Sequence, residues 1–254
     1  MKTSIIIPAY NEEKRIKKTL EKYCVYLKSK GVDFEILVVI NNTKDKTPEV
    51  VEEAQKKFKE ISFLNFKMGG KGFAILEGFK DALNRKNDLI GFVDADMATP
   101  PEEFYKLITG IKLAEGIIAS RNLKKSEVVG KTFIGDLKSS LFNFVVRGIM
   151  VLPYRDTQCG AKLFKREVIK KVIKNVGTTK WAFDVDLLSQ IHRRGFKIKE
   201  IPTKWAEQEG SKRDLIRTSL KMFVAVVRLR LKYSPFKFVV RFYDQLPDKL
   251  KVAI

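Results

Sequence analysis

The sequence predicts an α/β domain with a mainly parallel sheet, and two observations lead to this prediction. Between residues 1 and 120, short apolar runs alternate with longer segments in which apolar residues recur at helical spacing. The short runs are apolar throughout, which is typical of strands that are buried on both faces. Strands and helices in alternation form right-handed βαβ units, and such units build parallel sheets.

The elements are assigned in order from the residues that begin and end them. Pro8 ends the first strand, Gly31 closes the first helix, and Pro48 opens the second helix, because proline fits the first helical turn. The strands are predicted at residues 3–8, 34–40, 61–66, 89–93 and 116–120, and helices begin at Pro48, Phe73 and Pro101. We divide the chain into a domain over residues 1–210 and a helical appendage over residues 211–254.

Two aspartates follow the fourth predicted strand. Residues 89–96 read Leu-Ile-Gly-Phe-Val-Asp-Ala-Asp, so this strand carries Asp94 and Asp96 to its carboxyl end. Ligands bind at that end of the strands in open α/β sheets, and carboxylate oxygens are ligands that Mg²⁺ and Mn²⁺ prefer. The sequence therefore indicates a metal site, and the alternative is an ordinary strand end followed by a helix cap near Thr99.

A glycine-rich loop and an arginine supply positive charge near the same edge. The segment Gly69-Gly70-Lys71-Gly72 opens a helix, where backbone N–H groups can bind a phosphate. Its spacing is neither that of a P-loop nor that of a dinucleotide fingerprint, so an anion loop and a flexible turn are both open. Arg121 follows the fifth strand and is suited either to a diphosphate or to a surface ion pair.

The composition narrows the class of protein. Lys and Arg exceed Asp and Glu by 50 to 30, and the net charge of +20 favours phosphates, nucleic acid or an anionic membrane as partners. His192 is the only histidine, which argues against a His-based zinc site or a Ser-His-Asp triad. Two cysteines without metal spacing, no secretory signal and no run of ~20 apolar residues lead us to expect a cytoplasmic protein.

The appendage has a different character from the domain. Residues 211–254 are rich in Lys and Arg, and residues 215–233 predict a basic amphipathic helix. Such a helix lies on an anionic membrane surface or packs on its own protein, and the sequence alone leaves both open. A second copy of the chain, in a homodimer, is a third possible partner.

Four motifs in order give the chain a family resemblance. They are Ile5-Ile-Ile-Pro8-Ala-Tyr10-Asn11-Glu12, Gly70-Lys71-Gly72, Asp94-Ala-Asp96 and Asp156-Thr-Gln-Cys-Gly160. Together they resemble the family 2 inverting glycosyltransferases, and more narrowly the polyprenyl-phosphate hexose synthases. Three further segments resemble the dolichyl-phosphate glucose synthase branch: Asp96-Met-Ala98-Thr99, Trp181-Ala-Phe-Asp184 and Gly210-Ser-Lys212.

The resemblance implies a fold and a set of roles. The fold would be a nucleotide-diphospho-sugar transferase domain of the GT-A type, a mixed sheet with helices on both faces. Asp94, Ala95 and Asp96 would hold the diphosphate through Mg²⁺ or Mn²⁺, while Asp156, Gln158 and Asp184 would face the sugar and the acceptor as catalytic residues. The nucleotide pocket would be lined by Pro8, Ala9, Tyr10 and Glu12, with Lys71 and Arg121 near the diphosphate.

One position departs from the family pattern. The second strand of the family usually ends in two aspartates, one of which reads the base or the ribose. Here Ile40 and Asn41 occupy those positions, and Asn41 can form hydrogen bonds but carries no charge. The identity of the nucleotide therefore stays open at this point.

We expect metal-dependent transfer of a hexose, glucose from UDP-glucose being favoured, to a polyprenyl monophosphate on the cytosolic face of a membrane. The acceptor phosphate is mostly dianionic at neutral pH and needs no general base. Arg147, Arg155 and Lys212 would receive it, and the appendage would hold the enzyme peripherally at the membrane surface.

Three alternatives remain. GDP-mannose is an alternative donor, and a non-lipid acceptor would require Asp184 or Asp186 as a base. A non-enzymatic basic module that binds membrane or nucleic acid is the third, but the chain lacks a recognisable nucleic-acid-binding motif, so we expect no nucleic-acid partner.

Overall fold

A seven-stranded mixed sheet organises the chain. The computed structural model describes residues 1–130, 143–177, 182–207 and 215–245. The sheet has the strand order β3-β2-β1-β4-β7-β5-β8, and β6 pairs with β9 in a separate two-stranded sheet. The strands are β1 (Thr3–Ala9), β2 (Phe34–Asn41), β3 (Ile61–Phe66), β4 (Leu89–Phe92), β5 (Gly116–Ser120), β6 (Glu127–Val129), β7 (Lys162–Lys165), β8 (Ile198–Pro202) and β9 (Lys204–Ala206).

The predicted mainly parallel sheet is confirmed, with one antiparallel insertion. Strands β1 to β4 pair in parallel, and β5 pairs in parallel with β8. Strand β7 lies between β4 and β5 and runs antiparallel to both. The five predicted strands agree with the observed ones to within one residue at each end.

Helices cover both faces of the sheet. They are α1 (Ile16–Ser29), α2 (Thr47–Lys57), α3 (Lys71–Asn84), α4 (Pro101–Gly110), α5 (143–150), α6 (Arg166–Val172), α7 (Phe183–Arg193), α8 (Leu215–Lys232) and α9 (Lys237–Gln245). Alternate residues of the central strands point to opposite faces and enter separate cores. Ile5 and Ile7 pack with α1, α2 and α4, whereas Ile6 packs with α3, α5, α6, α7 and α8.

The topology gathers polar residues at one edge of the sheet. Strands β1, β2 and β4 end at this edge, and β7 begins there because Lys162 is paired with Phe92 at the end of β4. The antiparallel course of β7 therefore brings residues 156–160, which precede it, beside Asp94 and Asp96. No single run of sequence contains both groups.

Helix α8 packs on the protein. Its apolar residues Ala225, Val226 and Leu229 are buried in the core that contains α3 and α7. The sequence left several partners open for residues 215–233, and in this structure the apolar face of α8 packs on the protein itself. In the part of the chain that the structure describes, no helix has the length and apolar character needed to cross a bilayer.

A buried hydrogen bond ties the end of α8 to α7. The hydroxyl of Tyr233 donates to Oδ1 of Asp186 at 2.6 Å, and the amide of Gly177 donates to Oδ2 at 2.8 Å. Asp186 has no exposed surface, and burial raises the pKa of its carboxyl group. The carboxylate of Asp186 thus joins the helical appendage to the domain.

We predict that Tyr233→Phe lowers the free energy of unfolding by about 1.5–3 kcal/mol, because a buried carboxylate loses a charge-assisted hydrogen bond. Urea unfolding at neutral pH measures the change. Tyr10→Phe, at an exposed tyrosine, is the matched control and should stay within about 0.5 kcal/mol of the parent. Equal stability of Tyr233→Phe and the parent would show that apolar packing alone holds α8.

Candidate active site

The loop after β4 presents Asp94 and Asp96 on one side and buries the residue between them. Ala95 is buried, and its carbonyl oxygen accepts a 2.7 Å hydrogen bond from the hydroxyl of Thr19 on α1. Oδ1 of Asp96 accepts the amide of Ala98 at 3.0 Å, and Met97 between them has a positive φ of 64°. This local turn and the bond from Thr19 hold the two carboxylates at the sheet edge, where both are partly exposed.

Four side chains of alternating charge form a ladder across this edge. Nζ of Lys71 lies 2.6 Å from Oδ1 of Asp94 and 4.0 Å from Oδ2 of Asp184. Nζ of Lys162 lies 2.6 Å from Oδ1 of Asp184 and donates to the carbonyl oxygen of Cys159, also at 2.6 Å. We call Asp94, Lys71, Asp184 and Lys162 the charge ladder.

The two ends of the ladder differ in their access to solvent. The side chains of Lys71 and Asp94 are 35% and 34% exposed, whereas Lys162 has no exposed surface. Both ammonium groups lie over the ring of Phe92, at 5.7 and 5.2 Å from its centre. The buried end is therefore fixed by packing, and the open end faces the space where a ligand can enter.

The charges of the ladder change the pKa of its members. Burial alone would raise the pKa of Asp94, but Lys71 outweighs it and holds the pKa below its usual value. Burial tends to lower the pKa of Lys71, and the charges of Asp94 and Asp184 raise it instead. Asp96 has a raised pKa, because of burial first and the charge of Asp94 second. The negative charge of Asp94 thus disfavours the ionised form of Asp96.

The two carboxylates fit a divalent cation that shares its ligands with substrate. Among the described residues, His, Cys, Asp and Glu form no group of three that could enclose a metal ion. Mg²⁺ and Mn²⁺ accept oxygen ligands, and Mg²⁺ in particular is often held by one or two carboxylates together with substrate phosphates and water. Asp94 and Asp96 provide that donor set.

Two glycines make room for the ladder. A Cβ atom on Gly160 would collide with the carboxylate of Asp94, and one on Gly72 would lie 2.9–3.0 Å from the side chain of Phe183. Gly160, two residues before β7, and Gly72, in the first turn of α3, can therefore approach the ladder only without a side chain. The glycine-rich loop is in this structure a close-packed helix start, with Lys71 as the first helical residue.

Arg121 and Asp156 form a buried ion pair with each other. Nε and Nη2 of Arg121 lie 2.7 and 3.0 Å from the two oxygens of Asp156, which also accept backbone amides, including those of Gln158 and Cys159. Asp156 has no exposed surface, and Arg121 holds the pKa of its carboxyl group well below the usual range against the effect of burial. In this structure the pair positions the loop before β7, and the roles of Asp156 toward the sugar and of Arg121 toward the diphosphate stay predictions.

Asn41 also has a supporting role here. Its Nδ2 donates to the carbonyl oxygen of Ala9 at 3.0 Å, and its Oδ1 accepts the amide of Gly70 at 2.9 Å. The side chain is buried and both of its polar atoms are used, so it does not face a base in this structure. Asn41 instead joins the end of β1 to the loop before α3.

The first motif lies at the rim of the site. Tyr10 is exposed, whereas Ala9 is fully buried and can line a pocket only through its backbone. Glu12 forms an ion pair with Arg15, and burial raises its pKa. Pro8 is the partly exposed residue of β1, so Pro8, Tyr10 and Glu12 remain the members with accessible side chains.

The residues predicted to bind the acceptor are only partly described. Arg155 is exposed, while Nε of Arg147 is buried and has no hydrogen-bond partner among the described residues. Gln158 is half-buried, and its Nε2 lies 3.3 Å from Oγ1 of Thr157. Lys212 and Trp181 lie outside the described residues.

Lys162 is the site residue that the sequence reasoning missed. It is the first residue of β7, and a lone lysine at the start of an apolar strand indicates an exposed position. The signal was the lysine two residues after Gly160, close in sequence to the glycine that contacts Asp94.

The chain is similar to known glycosyltransferases. The family model described as glycosyl transferase family 2 matches residues 4–173. A dolichyl-phosphate β-glucosyltransferase of Trichomonas vaginalis is 36% identical over 248 residues, covering 91% of this chain and 73% of that protein. The human dolichyl-phosphate β-glucosyltransferase is 30% identical over 246 residues, covering 91% of this chain and 75% of the relative.

Solved structures share the fold at lower identity. A mannosyltransferase of Pyrobaculum calidifontis, in complex with GDP-Man and Mn²⁺, has a TM-score of 0.63 at 16% identity. The match covers 94% of this chain and 68% of the mannosyltransferase chain. Glucosyl-3-phosphoglycerate synthase of Mycobacterium tuberculosis, in complex with Mn²⁺, UDP and product, has a TM-score of 0.63 at 16% identity, covering 90% and 79%. Both confirm the predicted GT-A type of fold.

We predict that Arg121→Gln lowers the free energy of unfolding by about 3–5 kcal/mol, because it leaves Asp156 buried without its counter-charge. The double variant Arg121→Gln/Asp156→Asn should recover part of this loss, since the buried charge is removed as well. Urea unfolding of the parent and both variants measures this order.

The pH dependence gives a second check of the same ion pair. In the parent the folded pKa of Asp156 is depressed, so its contribution is present above the unfolded pKa of about 3.9 and is lost as the pH falls through the folded pKa. In Arg121→Gln the folded pKa of Asp156 rises, and the deficit relative to the parent should shrink as the pH falls through this higher folded pKa. A deficit that is constant with pH would contradict the electrostatic explanation.

Proposed function

The chain belongs to glycosyl transferase family 2 and, within it, to the dolichyl-phosphate β-glucosyltransferases, and from this premise we propose that it transfers glucose from UDP-glucose to a polyprenyl monophosphate. The proposed acceptor is dolichyl phosphate or a lipid of the same class, at the cytosolic face of a membrane, with Mg²⁺ or Mn²⁺ as the cofactor. The charge ladder beside Asp96 is the observation that carries the proposal.

Asp94 and Asp96 are the proposed metal ligands. They would hold a divalent cation together with the substrate diphosphate, and that cation would supply positive charge to offset the charge developing on the departing nucleoside diphosphate. Two of the structures that share this fold were solved with Mn²⁺, which supports a divalent metal without separating Mg²⁺ from Mn²⁺.

Lys71 is the proposed second source of positive charge. Its ammonium group lies at the open end of the ladder, within 2.6 Å of Asp94, and is about a third exposed. A diphosphate that binds at Asp94 thus meets a lysine already in place. Lys71 also begins α3, so the amino end of that helix adds its partial positive charge.

Asp184 is proposed to orient the sugar and not to act as a base. Its Oδ1 is held by Lys162 at 2.6 Å, whereas its Oδ2 lies 4.0 Å from Lys71 and is the oxygen available to a sugar hydroxyl. Gln158, near the same edge, offers a second polar group. The polyprenyl phosphate attacks through its own oxygen, because a monophosphate with a second pKa near 6 is mostly dianionic at neutral pH.

The acceptor phosphate is proposed to meet the basic residues beside α5. Nε of Arg147 is buried and unpartnered among the described residues, and Arg155 is exposed at the start of the loop that contains Asp156. Lys212 was predicted to join them from the sequence. A phosphate binding there would pair with guanidinium groups, which bind it in a bidentate manner.

A donor screen tests the proposal. The protein is incubated with Mg²⁺ or Mn²⁺, a polyprenyl phosphate, and UDP-glucose, UDP-N-acetylglucosamine or GDP-mannose in separate reactions, and glycolipid formation is followed. We expect glycolipid from UDP-glucose only. Product from GDP-mannose alone would overturn the donor, and sugar transfer in the absence of any lipid phosphate would overturn the acceptor.

We predict that Asp96→Asn lowers the rate of transfer by about 10²–10³-fold, because a carboxylate that holds the metal-diphosphate becomes neutral. The free energy of unfolding should change little, since Asp96 is partly exposed and has no cationic partner within 4 Å in the described part of the chain. Asp33→Asn, at the opposite edge of the sheet before β2, is the matched control. Full transfer activity in Asp96→Asn would remove the metal role.

A further inference from the structure

Helix α9 carries apolar side chains that the rest of the described chain leaves uncovered. Phe236, Phe238, Val239 and Phe242 are 58%, 62%, 42% and 67% exposed. We call these four residues the phenylalanine patch. Val240, on the other side of the helix, is 9% exposed, so the helix separates a covered side from an open apolar side.

The members of the patch are adjacent to one another. The ring centres of Phe236 and Phe238 lie 6.3 Å apart. Phe238 and Phe242 are four residues apart in α9, and Val239 and Phe242 are three apart, so they are neighbours on one helical face. Scattered exposed apolar residues need no explanation, but an aromatic cluster on one face of a terminal helix does.

The surroundings of the patch are positively charged. Lys232 and Lys237 are exposed on either side of the turn that joins α8 to α9, and Arg230 is exposed one turn earlier. Aromatic residues together with Lys and Arg characterise helices that lie in the interface of an anionic membrane. The net charge of +20 extends this attraction to the whole molecule.

We propose that α9 is the membrane-binding element of this protein and that its phenylalanine patch inserts among the headgroups of an anionic lipid surface. This assigns to α9 the role that the sequence suggested for residues 215–233. Helix α8 buries Ala225, Val226 and Leu229 against the domain and serves as its support. This proposal rests on the proposed function, because the proposed acceptor is a membrane lipid.

A second copy of the chain fits the patch less well. Stable protein interfaces bury about 1,200–2,000 Å² in total, which needs roughly 20–30 residues on each side. The patch has four large apolar residues, and two copies would bring like charges together at Lys232 and Lys237. A lipid surface needs only a few inserted side chains and attracts the same lysines.

The connection to the domain fixes where the membrane lies relative to the charge ladder. Tyr233 precedes the patch by three residues and is bound to Asp186, two residues after Asp184 on α7. The intervening turn is closed by backbone bonds from Ser234 to Leu231 and from Lys237 to Ser234. A lipid surface bound by α9 is therefore held at a set position with respect to α7, the helix that carries Asp184.

A vesicle partition experiment tests the proposal without requiring turnover. The full chain is mixed with vesicles of phosphatidylcholine and phosphatidylglycerol in equal parts, and bound protein is measured by co-sedimentation. The double variant Phe238→Ser/Phe242→Ser should bind at least about tenfold more weakly, because two exposed aromatic rings no longer enter the lipid. Phe223→Ser is the matched control on α8, where Phe223 is 40% exposed, and should change binding by less than about twofold.

Three results would overturn the proposal. One is unchanged vesicle binding in the double variant, and another is a larger loss in Phe223→Ser, which would assign the membrane contact to α8. The third is a dimer of the parent that dissociates in the double variant while vesicle binding persists, which would assign the patch to a second copy.

Transfer assays distinguish this proposal from the proposed function. With a short-chain, water-soluble polyprenyl phosphate the double variant should keep its rate within about twofold, whereas with a long-chain acceptor in vesicles the rate should fall about tenfold. If the parent transfers glucose to neither acceptor, the proposed function fails. The vesicle partition of the same proteins still decides the role of α9.

Discussion

The charge ladder is a line of alternating charges formed by Asp94, Lys71, Asp184 and Lys162. The surrounding strands, helices and loops bring these four side chains together. A buried carboxylate or ammonium group is costly unless a counter-charge lies beside it. Lys162, with no exposed surface, is tolerated because Asp184 and the carbonyl of Cys159 both lie 2.6 Å from it. Strand β7 brings Lys162 to this point by running antiparallel between β4 and β5, and Gly160 lets the preceding loop reach Asp94.

Buried polar residues hold the loops and strand ends that carry the site. The Arg121–Asp156 pair fixes the loop before β7, and Asn41 ties the end of β1 to the start of α3. Each uses its polar atoms on the protein and has little or no exposed area. The groups that remain accessible, Asp94, Asp96 and Lys71, thus lie among elements that are fixed by buried hydrogen bonds and ion pairs, and such support is how a polar site keeps its geometry.

Helix α7 connects the appendage to the site. The first turn of α7 carries Asp184, a member of the charge ladder, and Asp186, which accepts a hydrogen bond from the hydroxyl of Tyr233. One short helix therefore contacts the reaction centre at one residue and the support of α9 two residues later. This arrangement relates α9, the proposed membrane-binding element, to Asp184, which is proposed to orient the sugar.

The sequence by itself determined the strands β1 to β5, the mainly parallel character of the sheet and the carboxylates at its edge. These features follow from local information: apolar runs, turn residues and the alternation of strands and helices. Short motifs in the sequence also indicated the family. The tertiary structure alone decided which polar residues face a ligand and which face one another, because that depends on contacts between residues far apart in the chain. Arg121 and Asp156 are 35 residues apart and Asn41 and Gly70 are 29 apart, and nothing local to either partner indicates the pairing. For the same reason the sequence left open what the amphipathic helix over residues 215–233 contacts, and only the tertiary structure shows that α8 packs on the core.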